Sequence, residues 1–173
     1  MRNIVFGILI VLGALLSCKS DDESLQRIDQ VLNIYMKSNT NPDLLNSKKT
    51  GSFTSYFAND SLGDRNVSPV TIPLRMRPDS TFYMEYIAGA KRKRRDSTGP
   101  DNPGTGNSYY SVMALGLIKR VNDKPDTIID RLRIEYRKTP TVFQVSKVYY
   151  NDVLQFSKEA DQPNSINVVT ITK

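Results

Sequence analysis

The feature that most limits the fold is a series of segments rich in β-branched and aromatic residues in the second half of the chain. These segments span residues 81–87, 109–121, 127–137, 142–150 and 166–172, and turn-forming residues separate them. The clearest alternation places Leu132, Ile134 and Tyr136 on one side of a strand, with arginines and Glu135 on the other. The pattern predicts an antiparallel sheet with one buried face and one face in water.

Two local signals predict how this sheet is connected and bent. Residues 138–141 form a short link between two of the segments, which favours an antiparallel hairpin. After that link, Phe143 and Val145 share one parity, whereas Val148 and Tyr150 take the other. We therefore expect a β-bulge near residues 146–147 that bends the sheet.

The start of the chain's globular part has helical spacing. Leu25, Ile28, Val31, Leu32, Tyr35 and Met36 recur at the intervals of one helix face, and this predicts an amphipathic helix. A short second helix is expected after Asn41, with Leu44 and Leu45 pointing inward and Gly51 at its end.

A helix followed by a curved antiparallel sheet is an α+β arrangement, and we expect one such domain over residues 24–173. The order of elements, together with the stretch FTSYFANDS at residues 53–61, resembles the cystatin-like and nuclear-transport-factor-like folds. This resemblance implies a cone-shaped sheet with the helix packed on its concave face. The alternative is a mostly-β sandwich or barrel, as in lipocalin-like proteins.

The N-terminus has the pattern of an export signal. Arg2 precedes an apolar run over residues 4–16, which is shorter than the roughly 20 residues that span a bilayer. A basic start, an apolar core and a small residue before the break are typical of a signal peptide, which we place at residues 1–17.

Leu15, Leu16, Ser17 and Cys18 resemble the lipobox of bacterial lipoproteins. The resemblance implies that Cys18, the only cysteine, carries a diacylglycerol thioether and becomes the new N-terminus. Each buried methylene contributes about 0.8 kcal/mol, so several acyl chains anchor a protein stably. Residues 18–23 would then form a lipidated, acidic tether. Residues 20–23 resemble a surface-export tag, which implies an outer-membrane lipoprotein exposed at the cell surface; the alternative is a lipoprotein that faces the periplasm.

Composition argues against an enzyme. The chain contains no histidine, which removes the commonest general base and the commonest metal ligand. With Cys18 acylated, thiolate catalysis and cysteine zinc sites are also excluded. We expect no catalytic residue, no metal and no cofactor.

The one unusual local feature is an unbroken basic run, followed by a Gly/Pro-rich stretch, in a chain of formal net charge +6. The run consists of Lys91, Arg92, Lys93, Arg94 and Arg95. We expect residues 91–108 to form a flexible loop whose cations bind an anionic partner, such as lipid phosphates, acidic polysaccharide or an acidic protein. The alternative is a solvated tip that protects a sheet edge. Nucleic acid is not an expected partner.

These observations predict a non-catalytic binding or structural role in the Gram-negative envelope, for example as an accessory subunit of an envelope or secretion assembly with a protein or glycan partner. The alternative is a small-ligand or hydrolytic module that uses a pocket in a cone-shaped fold. Such a pocket would be lined by Tyr83, Tyr86, Tyr110, Tyr136 and Tyr149. The oligomeric state is left open.

Overall fold

A computed structural model describes residues 26–95, 108–158 and 166–173. Within these ranges the chain forms twelve strands and no helix. The strands are β1 Arg27–Asp29, β2 Leu32–Lys37, β3 Ser55–Asp60, β4 Pro69–Val70, β5 Leu74–Met76, β6 Phe82–Tyr86, β7 Lys93–Arg94, β8 Ser108–Val121, β9 Lys124–Lys138, β10 Val142–Tyr150, β11 Val153–Ser157 and β12 Asn167–Thr172. The predicted signal peptide, Cys18 and the acidic tether lie outside the described residues.

The strands form two sheets. The larger, sheet A, has the order β1-β10-β9-β8-β3-β4, with β11 also paired to β10 and β7 also paired to β8. It is curled into a half-barrel. The smaller, sheet B, has the order β12-β2-β6-β5. The pairs β1–β10 and β12–β2 are parallel, and the other pairs are antiparallel.

One hydrophobic core lies between the inner faces of both sheets, because alternate residues of each strand point to the same side. Sheet B contributes residues such as Leu32, Ile34 and Met84, and each is 0% exposed. Sheet A contributes Met113, Leu115, Leu117, Leu132, Ile134, Tyr136, Val145 and Val148, which are also buried. Fully burying one large apolar side chain contributes about 1.5–3 kcal/mol, so this shared core accounts for most of the favourable free energy of folding.

The predicted N-terminal helix is wrong, and with it the α+β class. The segment forms β1 and β2 instead: Leu32, Ile34 and Met36 alternate into the core, whereas Ile28 is 66% exposed. Leucines and isoleucines at these positions satisfy a period of two as well as a helical period, so spacing alone does not decide. The segment forms a strand because β2 pairs with β6 on one side and with the distant β12 on the other. The fold is all-β, the class that the alternative named.

The predicted second helix is also wrong, although its inward residues were correctly chosen. Residues 41–51 form turns, in which the Asn41 side-chain oxygen accepts a hydrogen bond of 2.9 Å from the backbone N–H of Asp43. Leu44 and Leu45 are 5% and 4% exposed. Asn41 therefore organises an Asx turn rather than capping a helix.

The predictions for the centre of sheet A are confirmed. The strands β9 and β10 form an antiparallel hairpin, and their register shifts between Val145 and Lys147, which places the bulge at Ser146. Leu132 and Ile134 are buried as the alternation in β9 indicated. The strands β6, β10 and β12 also fall within the segments predicted to be extended, and β8 begins one residue before its segment, at Ser108.

Candidate functional site

The basic run divides between the core and the surface. The backbone N–H of Lys91 donates to an Asp60 carboxylate oxygen at 2.6 Å, and its ammonium group forms an ion pair with Asp64. The hydrogen bond and charge of Lys91 hold the pKa of Asp64 below its usual value. Lys91 is thus fixed to the neighbouring loop rather than free in solvent.

Arg92 is bound more deeply. Its guanidinium donates to the Gln30 side-chain oxygen at 2.6 Å and lies 4.8 Å from the ring centroids of both Tyr136 and Phe143. Such cation–π contacts are stronger where the cation is shielded from water. Arg92 therefore stabilises the edge of the core and is not available to a partner.

The next residues form a strand rather than the predicted loop. Lys93 and Arg94 make up β7, which pairs with Tyr110 and Tyr109 of β8, and the backbone N–H of Arg95 donates to Ser108 at 2.9 Å. Residues 96–107, the remainder of the predicted loop, lie outside the described residues. Successive strand residues point to opposite faces. Lys93 and Arg95 therefore lie on the outer face, while Arg92 lies on the core side.

On that outer face the register brings distant cations together. Lys93 is opposite Tyr110, Tyr110 is opposite Glu135, and Glu135 is opposite Lys147, so these residues form one row across four strands. Other outward-facing residues of β9 lie along the strand on either side of Glu135. We call this surface the basic face and define it by Lys93, Arg95, Arg131, Arg133, Arg137 and Lys147.

One carboxylate lies at the centre of the basic face. Glu135 is 8% exposed. It forms an ion pair with Arg133 at 2.9 Å and accepts a hydrogen bond from Arg95 at 3.4 Å. Lys147 lies opposite Glu135 in the register, but among the described residues it forms no ion pair. The single acid is therefore shared between two guanidinium groups, and the face keeps an excess of positive charge.

The arginines of β9 make further contacts at the border of the basic face. Arg131 pairs with Asp152 at 2.9 Å, and Arg133 lies 4.2 Å from the ring centroid of Tyr149. Arg137 donates to the backbone oxygen of Lys158 at 3.3 Å. These contacts hold the guanidinium groups in fixed positions, which lowers the entropy lost when an anion binds.

A cleft of about 260 Å³ opens on the basic face. Its lining includes Arg95, Arg137, Lys147, the carboxylate of Glu135 and three serines, Ser108, Ser146 and Ser157. Lys158 also lines it, but its ammonium group is turned away and binds Asp29 at 2.6 Å. Guanidinium, ammonium and hydroxyl donors around one cleft suit an anionic group.

Sequence reasoning missed the arginines of β9 and Lys147 as members of this surface. Their alternation was recognised as a solvated face, but nothing in the local sequence connects them to the basic run. That connection depends on the pairing of β7 with β8 and of β8 with β9. The partners Lys93 and Tyr110 are 17 positions apart along the chain, and Tyr110 and Glu135 are 25 positions apart.

The five tyrosines proposed to line a pocket do not share one. Tyr86 and Tyr136 are core residues at 0% and 1% exposure, and burial raises the pKa of the Tyr136 hydroxyl. Tyr83 stacks on Tyr35, on the outer side of sheet B. The other two, Tyr110 and Tyr149, lie on the basic face. The described residues include no group of acids able to hold a metal, and no helix among them is both long and apolar enough to cross a membrane.

Comparison of the chain with protein-family models, with curated proteins and with solved structures finds no match. The case for a function therefore depends on the N-terminal sequence and on the geometry of the two sheets.

Proposed function

We propose that this protein is a lipid-anchored outer-membrane lipoprotein that binds an anionic partner in the cell envelope through its basic face. Its role is non-catalytic: it is a binding or structural component, such as an accessory subunit of an envelope assembly. The partner is an acidic glycan or an acidic surface of an envelope protein. The lipid on Cys18 holds the domain at the membrane, with the cell surface as the favoured side.

The basic face carries this proposal. It places cations from three strands, β7, β9 and β10, around one shared carboxylate, on a sheet whose other face is filled by core side chains. A surface with one sign of charge attracts an oppositely charged partner and speeds the encounter. The side chains of Lys93 and Lys147 are exposed, so they can meet such a partner without rearrangement.

The lipobox-like residues carry the proposed anchor, and the composition supports a binding role. The chain has no histidine, and the tyrosines considered for a ligand pocket are spread over the core and two outer surfaces. Among the residues that the structure describes, no group of side chains is a candidate for the hydrolytic alternative.

The test compares two double variants with the same loss of charge. Lys93→Ser with Lys147→Ser removes two exposed cations from the basic face, whereas Lys48→Ser with Lys49→Ser removes two exposed cations from the turn before Gly51. Each basic residue near an anionic surface contributes about 1 kcal/mol. Loss of two should therefore weaken the binding of the first variant to immobilised dextran sulfate roughly thirtyfold at low salt.

Elution with a salt gradient gives the measurement, because added salt screens exposed charges. The basic-face variant should elute at lower salt than the Lys48 and Lys49 variant, and a matrix that carries neither sulfate groups nor sugars should retain neither. Equal elution of the two variants would mean that net charge, and not this surface, determines binding.

A further inference from the structure

A second cleft lies where β1 of sheet A adjoins the outer face of sheet B. It has a volume of about 480 Å³, within the range of roughly 300–1,000 Å³ that is usual for ligand sites. Asn33 of β2 and Glu85 of β6 are cross-strand partners, so their side chains lie next to each other on this face. The lining also includes Arg27, Asp29, Tyr83 and Ile166.

Polar atoms in this cleft lack partners although they are buried. Asn33 is 9% exposed, and its side-chain oxygen has no hydrogen-bond partner. The Arg27 Nε is also buried without a partner. Buried polar groups without partners cost free energy, and the large majority in native proteins are paired. A ligand that supplies both a donor and an acceptor would pair both of these groups.

Both acids of the cleft are paired with cations. Asp29 is paired with Lys158 at 2.6 Å, and Glu85 is paired with Arg75 at 3.1 Å. Neither carboxylate is therefore free to select a cation. Arg27 is the one cation among the described lining residues, so the cleft lacks the cluster of positive charges that would select a phosphate. Its ligand should be polar and uncharged.

An aromatic surface adjoins these polar groups. Tyr83 and Tyr35 stack with ring centroids 5.3 Å apart and an interplanar angle of 28°. Ile166, 67% exposed, adds apolar surface to the lining. A sugar ring has an apolar C–H face that packs on an aromatic ring, and its hydroxyl groups each donate and accept hydrogen bonds.

We propose that this cleft binds a neutral saccharide, with one sugar ring packed on Tyr83 and its hydroxyl groups bonded to Asn33 and Arg27. The inference is independent of the basic face, because it depends on different strands and on a different ligand chemistry. It assigns the protein a glycan contact whose strength does not depend on salt.

The test uses the full-length, lipidated protein in a detergent without a sugar headgroup. Isothermal titration with neutral hexasaccharides of glucose, mannose, galactose and N-acetylglucosamine should reveal binding of at least one. Tyr83→Ala should weaken that binding by about tenfold, the loss expected when an aromatic contact at the centre of a site is truncated. Tyr83→Phe should retain it. As a matched control, Phe57→Ala removes a ring that is 45% exposed on sheet A and should leave the affinity unchanged.

Asn33→Ala distinguishes a ligand contact from a structural residue. It should weaken saccharide binding several-fold without lowering Tm, because the oxygen it removes has no partner in the free protein. The proposal is overturned if no hexasaccharide binds, or if Tyr83→Ala and Asn33→Ala bind as well as the wild type. The proposal is also overturned, in favour of a peptide site, if an uncharged hexapeptide binds, no saccharide binds, and the same two variants weaken the binding of the peptide.

Discussion

The outer faces of the two sheets differ in charge although their inner faces share one core. On sheet A, the basic face surrounds the single buried acid Glu135 with arginines and lysines. On sheet B, Glu85 is matched by Arg75, and the neighbouring surface is aromatic. The comparison shows how an all-β scaffold separates its tasks: inward positions determine the fold, and outward positions are free to form different binding surfaces.

The largest expected effect concerns the anchor that would hold both surfaces at the membrane. Cys18→Ser cannot form a thioether, so the variant should remain an unprocessed precursor and lose its lipid. Intact-mass measurement should show diacylglycerol on the processed wild type and none on the variant. A wild-type protein with a free Cys18 thiol or with Met1 retained would contradict the lipoprotein proposal. Both outer faces would then have to act away from a membrane.

The next effect separates the core side of the basic run from its outer side. Arg92→Ser removes a hydrogen bond to Gln30 and contacts with two rings, and should lower the free energy of unfolding by about 1–3 kcal/mol. Lys93→Ser, one residue further on, should change it by no more than about 0.5 kcal/mol, as is usual for surface substitutions. Urea unfolding measures both. Equal stability of the two variants would contradict the division of the run between core and surface.

A smaller effect concerns the link between the two sheets. Asp130 of β9 accepts hydrogen bonds from Tyr150 at 2.6 Å and from Asn151 at 2.7 Å, and it pairs with Lys173, which follows β12. Burial alone would raise the pKa of Asp130, but the hydrogen bonds from Asn151, Lys173 and Tyr150 outweigh it and lower the pKa. A carboxyl with a lowered pKa stabilises the fold above its unfolded pKa of about 3.9.

That stabilisation should be lost as the pH falls through the folded pKa of Asp130. The free energy of unfolding should therefore differ most between wild type and Asp130→Asn above about pH 5, and the difference should narrow toward pH 2. Urea unfolding at a series of pH values provides the measurement. A difference that stays constant over this range would show that the charge of Asp130 does not stabilise the junction of the sheets.

The parts of the fold that sequence reasoning predicted have local causes. Alternation in β9, the short link to β10 and the change of parity at Ser146 are all readable from neighbouring residues. The failure at β1 and β2 has a physical reason as well: their partners β10, β12 and β6 lie far along the chain, and long-range pairing overrode a spacing that also fits a helix.

The candidate sites also depend on pairing between strands that are distant along the chain. The basic run is visible in the sequence, but its union with Arg133 and Lys147 exists only once the strands pair. Asn33 and Glu85 are separated by about fifty positions and meet through the β2–β6 register. No sequence motif marks either set of residues, because each set is assembled from several strands.

The most direct test of the central claim is a double dissociation between the two surfaces. Binding to dextran sulfate and to the neutral hexasaccharide should be measured for the Lys93→Ser, Lys147→Ser double variant and for Tyr83→Ala. If the two surfaces are independent, the double variant should elute from dextran sulfate at lower salt and keep its Kd for the saccharide. Tyr83→Ala should do the reverse. If either variant weakens both kinds of binding equally, the two outer faces do not form separate sites, and the account is contradicted.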